Sequence, residues 1–232
     1  MTLRHLSLAL LATSAFATAA VAAPADRRFP VTGFEKVWAS GSEDITITTG
    51  KAASVVATGP QDRLDNLAIT VDGATLKIDH KKNSNWSWGT GDQVHIAVTM
   101  PALLGVHASG SGDIIADSGS GPAFEGSLSG SGDMKITRIN SPEVTLRTSG
   151  SGDIMAAGQC TNAKVSISGS GDMALGGLAC TNVDVTISGS GDVAAHATGN
   201  ANIKISGSGD VQITGGARCT SRTSGSGDVT CG

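Results

Sequence analysis

Ser129-Gly130-Ser131-Gly132-Asp133 is one of seven identical pentapeptides between residues 109 and 228 of the sequence. Successive copies lie 18 to 20 residues apart, counted between their aspartates. A fixed period of this size indicates stacked units of supersecondary structure. The copies occupy residues 109–113, 129–133, 149–153, 168–172, 188–192, 206–210 and 224–228.

Apolar residues alternate with polar ones on both sides of the motif, as at Val144 and Leu146 or at Met134 and Ile136. A period of two residues indicates β-strands. The alternation continues through the pentapeptide, with its glycines inward and its serines and aspartate outward. We therefore predict that the motif is a strand, bent at most, whose glycines face the core where no side chain fits. They allow either a sharp curve of the sheet or the close approach of another backbone.

Short polar breaks between the copies predict turns. Each coil then contains a long strand through the motif, a short strand after it and a turn. The simplest assembly is an all-β fold, a parallel β-helix (β-solenoid) with about 18–20 residues per coil. The alternative is an antiparallel array of hairpins, which would not need the same pentapeptide on one strand only. The predicted turns are residues 138–142, 160–162, 180–182 and 198–200.

Four cysteines test the stacking. Cys160 and Cys180 share one repeat position, and stacked coils would bring them to about 4.8 Å, inside the Cα range of a disulfide. Cys219 and Cys231 fall at inward positions of the last coil. We predict the pairs Cys160–Cys180 and Cys219–Cys231, with free core thiols as the alternative.

The N-terminus has the features of a secretory signal peptide. Basic Arg4 precedes a short apolar run and a small-residue stretch, so residues 1–22 are predicted to be removed after Ala22, or alternatively after Ala25. No later segment is apolar enough to span a membrane. We expect residues 23–232 to form a single exported domain, with irregular coils at 29–108 and regular coils at 109–232.

The irregular part contains a degenerate motif, residues 40–44, in which Glu43 replaces an inward glycine. An unpaired buried carboxylate is costly, so this coil is expected at an open end or with a local bulge. Asp72-Gly73 predicts a hairpin turn, and residues 62–67 a helical turn. Residues 81–91 predict an exposed loop that carries Trp86 and Trp88. The remaining predicted strands are residues 54–58, 68–72, 75–79 and 93–99.

An ordered set of short motifs resembles the head GIN domain family of autotransporter adhesins, over nearly the whole exported chain. The resemblance implies a right-handed β-helix related in shape to pectin-lyase folds. It also implies an exported protein with an adhesive role and no established catalytic residues. The motifs are Gly33-Phe34, residues 40–42, residues 72–78, residues 101–103 and the pentapeptides from residue 109 onward.

Stacked coils would place the seven motif aspartates in one outward column. Carboxylates about 4.8 Å apart repel by roughly 0.9 kcal/mol per neighbouring pair in bulk water. A second interaction must therefore reduce the repulsion within the column. Hydrogen bonds to serine hydroxyls or backbone N–H groups and raised pKa values are one answer, and bound Ca²⁺ is another. The candidate calcium ladder is Asp113, Asp133, Asp153, Asp172, Asp192, Asp210 and Asp228.

The outward serines form a regular hydroxyl surface that could contact a repetitive ligand such as a polysaccharide, although small polar residues also suit a curved exposed strand. Trp86 and Trp88 could stack on sugars or pack against the solenoid. The candidate contact residues are Ser131, Ser151, Ser170, Ser190, Trp86 and Trp88.

Catalysis is not expected. Arg147, Lys204 and Arg222 share an outward column but mark no single spot, the histidines are scattered, and no nucleophile or metal-ligand spacing is found. No cofactor is predicted. A formal net charge of −4 argues against nucleic acid as a partner.

The sequence therefore predicts an adhesion or scaffold module of the cell envelope, in the periplasm or outside the cell, that contacts an envelope protein or polysaccharide through its side faces. The alternatives are a carbohydrate- or cation-binding periplasmic protein and, more remotely, a degenerate polysaccharide lyase. Nothing in the sequence predicts an oligomeric state.

Overall fold

The protein is a β-solenoid. The computed structural model describes residues 24–81 and 93–232, so the predicted signal peptide and both Trp86 and Trp88 lie outside the described residues. From Gly105 to Cys231 every strand pair is parallel. This pairing confirms the predicted β-helix and excludes the hairpin array for the regular coils.

The described residues form nineteen strands and one short helix. The N-terminal elements are β1 (Ala25–Phe29), β2 (Lys36–Gly41), β3 (Asp44–Thr49), β4 (Ser54–Gly59), α1 (Gln61–Asn66), β5 (Leu67–Asp72), β6 (Thr75–His80) and β7 (His95–Met100). The coils that follow are built from β8 (Gly105–Gly110), β9 (Ile114–Ala116), β10 (Gly119–Ser120), β11 (Ala123–Gly130), β12 (Met134–Asn140), β13 (Glu143–Gly150), β14 (Ile154–Gly169), β15 (Met173–Gly189), β16 (Val193–Gly207), β17 (Val211–Thr214), β18 (Arg218–Gly225) and β19 (Val229–Cys231).

Two long stacks of strands flank the pentapeptide motif. The entry sheet contains the strands that lead into the motif: β6, β2, β8, β11, β13, the second halves of β14, β15 and β16, and β18. The exit sheet contains the strands that leave it: β7, β3, β9, β12, the first halves of β14, β15 and β16, and then β17 and β19. The core lies between the two sheets.

The N-terminal coils do not follow chain order. Strand β2 lies between β6 and β8, and β3 lies between β7 and β9. Antiparallel pairs β5–β6, β1–β4 and β4–β7 complete this end of the solenoid. The hairpin predicted at Asp72-Gly73 is confirmed, with Gly73 at a φ of 58°, as is a short helix near residues 62–67.

Most of the predicted turns are wrong. Cys160–Asn162, Cys180–Asn182 and Thr198–Asn200 lie inside β14, β15 and β16, whose strands run unbroken through these positions. Cys160 pairs directly with Cys180, and Asn162 with Asn182. The β14–β15 ladder continues in register through these positions, whereas the register between β15 and β16 shifts beside Cys180. Of the four predicted turns, only residues 138–142 include a break between two strands. The break is Ser141-Pro142, where proline cannot donate to a ladder.

The core is a stack of aliphatic side chains that repeat from coil to coil. Leu146, Val165, Val185 and Ile203 occupy one such column, and each is almost fully buried. The next position of this column is Ser221, in the last coil, and it is exposed. The hydrophobic interior therefore ends one coil before the C-terminus.

Candidate interaction surface

The pentapeptide forms the corner between the two sheets. Ser129 and Gly130 end β11, a three-residue bend follows, and Met134 begins β12. The motif therefore begins as the predicted strand and has the bend that the prediction allowed, although residues 131–133 are not themselves strand; the alternation of exposed and buried residues continues through the bend.

Glycine is required at this corner chiefly by the backbone of the preceding coil. A Cβ atom on Gly130 would lie 2.0 Å from the carbonyl oxygen of Gly110, and one on Gly132 would lie 2.2 Å from that of Gly112. Gly130 also has a φ of 132°, which L-residues rarely adopt. The backbones of successive corners are thus nested along the solenoid axis.

Hydrogen bonds fix this nesting. The carbonyl oxygen of Gly110 accepts the N–H groups of Ser131 at 2.9 Å and of Gly132 at 3.3 Å. The same pair of bonds links the next coil, in which Gly130 accepts from Ser151 and Gly152. Each corner is therefore held in position by hydrogen bonds to a glycine carbonyl of the preceding corner.

The motif aspartates form a hydrogen-bonded ladder. The backbone N–H of Asp133 donates to Oδ1 of Asp113 at 2.8 Å, and each later aspartate donates in the same way to the one before it, at 2.7 to 3.0 Å. Asp44 of the degenerate motif begins the ladder by accepting from Asp113. Backbone N–H groups thus offset the repulsion within the column, which is one of the two answers expected from the sequence.

Within residues 24–81 and 93–232, no three His, Cys, Asp or Glu side chains come together in a way that could hold a metal ion. One oxygen of each bonded carboxylate is directed along the column toward a backbone N–H. Calcium binding by this column stays a prediction.

Glu43 is buried and paired, contrary to the expectation of an open end or a bulge. Its Oε1 atom lies 2.7 Å from Nε2 of His80, and its side chain is 6% exposed. No earlier copy of the motif precedes Glu43 in the stack, so no motif carbonyl excludes a Cβ there. Glu43 and His80 instead fill the space beside Gly41, where they end the glycine column.

The four candidate serines, Ser131, Ser151, Ser170 and Ser190, are all exposed on the corner. They form a straight row beside the Asp ladder because their backbones are held in register by the glycine carbonyls. This edge of the solenoid is regular, and the same backbone hydrogen bonds recur from coil to coil.

The outer face of the entry sheet carries two shallow grooves that were not predicted from the sequence. An N-terminal groove of about 600 Å³ is lined by Lys36, Trp38, Asp72, Thr75, Lys77, Asp79, Gly105, His107 and Glu125. A C-terminal groove of about 520 Å³ is lined by Lys164, Asp184, Thr186, Asn202, Lys204, Thr220 and Arg222. Trp38 could have been noticed in the sequence, because it stands two residues before the degenerate motif, like Arg147 and Lys204 before theirs.

The structure does not bring all three basic residues of that column together. Lys204 stacks directly on Arg222, but Ser166 and Thr186 separate them from Arg147. Arg147 forms an ion pair with Glu125 at 2.9 Å. The histidines are also apart: His95 contacts Thr46, and His196 contacts Thr214.

Asparagine side chains form a second ladder, which the sequence reading missed. Asn182 donates from Nδ2 to Oδ1 of Asn162 at 3.0 Å, and Asn200 donates to Asn182 at 3.1 Å. Asn162 in turn donates to Glu143. Glu143 and the three asparagines each lie six residues before the first serine of a motif. This constant offset could have indicated the ladder from the sequence.

Both predicted disulfides are confirmed. Cys160 and Cys180 join neighbouring coils with their Cα atoms 4.5 Å apart. Cys219 and Cys231 join β18 to β19 across 6.6 Å. Among the described residues no cysteine is free, and no helix has the length and apolarity needed to cross a membrane.

The chain is similar to proteins of known structure. A family model described as "Putative auto-transporter adhesin, head GIN domain" matches residues 33–217. No curated protein matches. A protein of Bacteroides fragilis NCTC 9343, described as a putative adhesin, is 22% identical with a TM-score of 0.84, over 90% of this chain and 96% of that one.

Two further structures come from Parabacteroides. A protein of P. distasonis ATCC 8503, described as a putative lipid binding protein, is 22% identical with a TM-score of 0.70, over 90% of this chain and 97% of that one. A protein of P. merdae ATCC 43184, described as a putative adhesin, is 19% identical with a TM-score of 0.69, over 90% of this chain and 96% of that one. At these identities the likeness shows a shared fold.

Proposed function

Since the chain belongs to the head GIN domain family of auto-transporter adhesins, we propose that it is an exported adhesion or scaffold module of the cell envelope. It acts through the side faces of its solenoid and catalyses no reaction. The partner is an envelope protein or a polysaccharide. Two neighbours of the same fold are described as adhesins, which supports the proposal.

The observation that carries the proposal is the rigid, repetitive corner. Ser131, Ser151, Ser170 and Ser190 lie in an exposed row beside the Asp ladder, and backbone hydrogen bonds hold both rows at fixed spacing. A preorganised surface loses little entropy when it binds a partner with a matching repeat. Weak contacts repeated along one axis also add through avidity.

Export is part of the proposal. Residues 1–22 have the composition of a signal peptide, and two disulfides persist more readily outside the cytoplasm. We propose cleavage after Ala22 and a single mature domain, residues 23–232, in the periplasm or on the cell exterior. Mass spectrometry of the N-terminus of the exported protein tests the cleavage site.

Binding of the purified chain to whole cells and to isolated envelope fractions tests adhesion. A variant with glutamine at Ser131, Ser151, Ser170 and Ser190 should bind at least about tenfold less, because the longer side chains cover the corner. The matched control changes four outward residues of the exit sheet to glutamine, Ile115, Lys135, Ala174 and Ala194, which leaves the corner intact. Equal binding by all three proteins would exclude the corner as the contact, and no binding by the unaltered chain would exclude adhesion.

A further inference from the structure

We propose that the N-terminal groove of the entry sheet is a sugar-binding site, in which Trp38 stacks against a neutral pyranose unit of an envelope or extracellular polysaccharide. This inference rests on the proposed adhesive function and names the ligand class for one side face. It is independent of the corner serines and of Trp86 and Trp88.

The groove exists because one outward position lacks a side chain. Lys36, Gly105 and Glu125 are direct neighbours in one column of the entry sheet. Gly105 stands between two long side chains, and its backbone forms a buried floor. A Cβ there would lie 3.0 Å from the carbonyl oxygen of Glu125. This tight contact disfavours a larger residue at position 105.

An indole and an imidazole border this floor. Trp38 is the direct neighbour of His107 in the adjacent outward column, and Trp38 is partly exposed within the groove. Tryptophan combines a flat apolar face with an N–H donor. A pyranose ring matches this arrangement, because its axial C–H groups form an apolar face and its hydroxyls lie at the rim.

Hydrogen-bonding groups surround the indole without a large net charge. Lys77 pairs with Asp72 at 2.5 Å, and Glu125 pairs with Arg147. Lys36 and Asp79 add one positive and one negative group to the lining. This balance favours a neutral ligand with many hydroxyls over an acidic polymer or the acyl chain of a lipid.

The C-terminal groove provides the contrast within the same sheet. It contains Lys164, Lys204 and Arg222 but no aromatic side chain. A neutral sugar that needs stacking should therefore bind at the N-terminal end only, although both grooves have similar size.

Tryptophan fluorescence gives a direct test, because the chain has only three tryptophans. In a Trp86→Phe/Trp88→Phe variant, Trp38 is the single reporter. We expect cellohexaose, mannohexaose or hexa-N-acetylchitohexaose to change its emission with saturation, and calorimetry on the unaltered chain to give the same affinity. Trp38→Ala should weaken binding about tenfold or more, whereas Trp38→Phe should keep most of it.

Controls separate a lost ligand contact from a lost fold. Lys36→Met changes an exposed lining residue and should lower the affinity severalfold without a change in melting temperature. Lys204→Ala, in the other groove, should leave the affinity unchanged. Saturable binding that survives both Trp38→Ala and Lys36→Met, or no binding by any of the three sugars, would overturn the proposal.

The two proposals fail in different ways. Adhesion to cells that persists in Trp38→Ala, with no sugar affinity in the unaltered chain, removes the sugar site and leaves the adhesive function. Sugar binding that depends on Trp38, without adhesion to cells or envelope fractions, removes the adhesive function and leaves a sugar-binding protein.

Discussion

At the scale of single residues, the pentapeptide is explained by contacts between corners of neighbouring coils. Glycine allows one coil to lie against the carbonyl of the next, serine is exposed, and aspartate accepts the N–H of the following aspartate. Each residue type therefore has its own physical reason. The repeat is kept because the same contact recurs at every level of the stack.

Two glycines five residues apart provide a matched test of this packing. A Cβ on Gly171 would lie 2.1 Å from the carbonyl oxygen of Gly152, whereas a Cβ on Gly176 would meet nothing within 4 Å. Gly171→Ala should lower the free energy of unfolding by about 1–3 kcal/mol. Gly176→Ala should change it by less than about 0.5 kcal/mol. Urea denaturation measures both, and equal effects would contradict the nested-corner explanation.

The Asp ladder can be tested at Asp172, which accepts the N–H of Asp192 at 2.8 Å. Asp172→Ala removes the acceptor and should cost about 1 kcal/mol of stability. Asp172→Asn keeps an oxygen at this position and removes one charge from the column, so it should be neutral or stabilising at low salt. If the two variants have the same stability, the carboxylate hydrogen bond contributes nothing.

Calcium binding by the aspartate column is a separate prediction. If the column binds Ca²⁺, the cation should raise the melting temperature of the unaltered chain, and Asp172→Asn should reduce the increase. Calorimetry that shows neither heat nor a shift in melting temperature would exclude the cation alternative.

At the scale of elements, neighbouring coils are joined by side-chain ladders as well as by backbone pairing. The asparagine ladder and the Cys160–Cys180 bond both lie where β14 and β15 bend. Amide groups at this bend pair with their counterparts in the next coil, so the strands continue where a turn was expected. Polar composition alone therefore could not distinguish a bend from a turn.

Removal of the inter-coil disulfide tests the importance of this link. Cys160→Ala with Cys180→Ala should cost about 3 kcal/mol, the entropy expected for a closed loop of twenty residues. Thermal unfolding with and without reductant measures the loss.

The matched pair Cys219→Ala with Cys231→Ala should increase hydrogen exchange mainly in β18 and β19, because that bond closes only the last coil. A peptide map with a Cys160–Cys219 link would contradict the coil register.

At the scale of the whole molecule, the first and last coils of the solenoid differ in what covers their edges. Antiparallel strands and a helix complete the N-terminal end. At the C-terminal end, Ser221 and Thr223 take the inward positions next to Ile203 and Ile205. Polar side chains on an exposed end discourage another chain from adding to it, which is a general way to protect open edges.

Restoring aliphatic residues at this end should promote self-association. Ser221→Ile with Thr223→Ile would extend the apolar column to the exposed face and should produce dimers or larger species. Light scattering coupled to size-exclusion chromatography measures the change. Thr220→Ile with Arg222→Ile adds apolar area on the outward side of the same strand and serves as the control. An unchanged mass for the inward variant would show that the polar end has no protective role.

The sequence by itself determined the strand content and the repeat of 18–20 residues, and from these it predicted the solenoid and both disulfides. The hairpin array and free thiols, which it left open, were excluded by the structure. It also indicated which side of each strand is buried. Glu43 was recognised as an unusual inward carboxylate, although its partner was not, since His80 lies 37 residues away along the chain.

Only the tertiary structure decided how the coils contact one another. The N-terminal coils stack out of chain order, so Lys36, Gly105 and Glu125 become neighbours, as do Trp38 and His107, although no local pattern joins them. The sequence left open whether the motif glycines allow a sharp curve or the approach of another backbone, and the position of the preceding coil shows the close backbone contact. Local periodicity fixes which way a side chain faces, whereas contacts between coils fix what it meets.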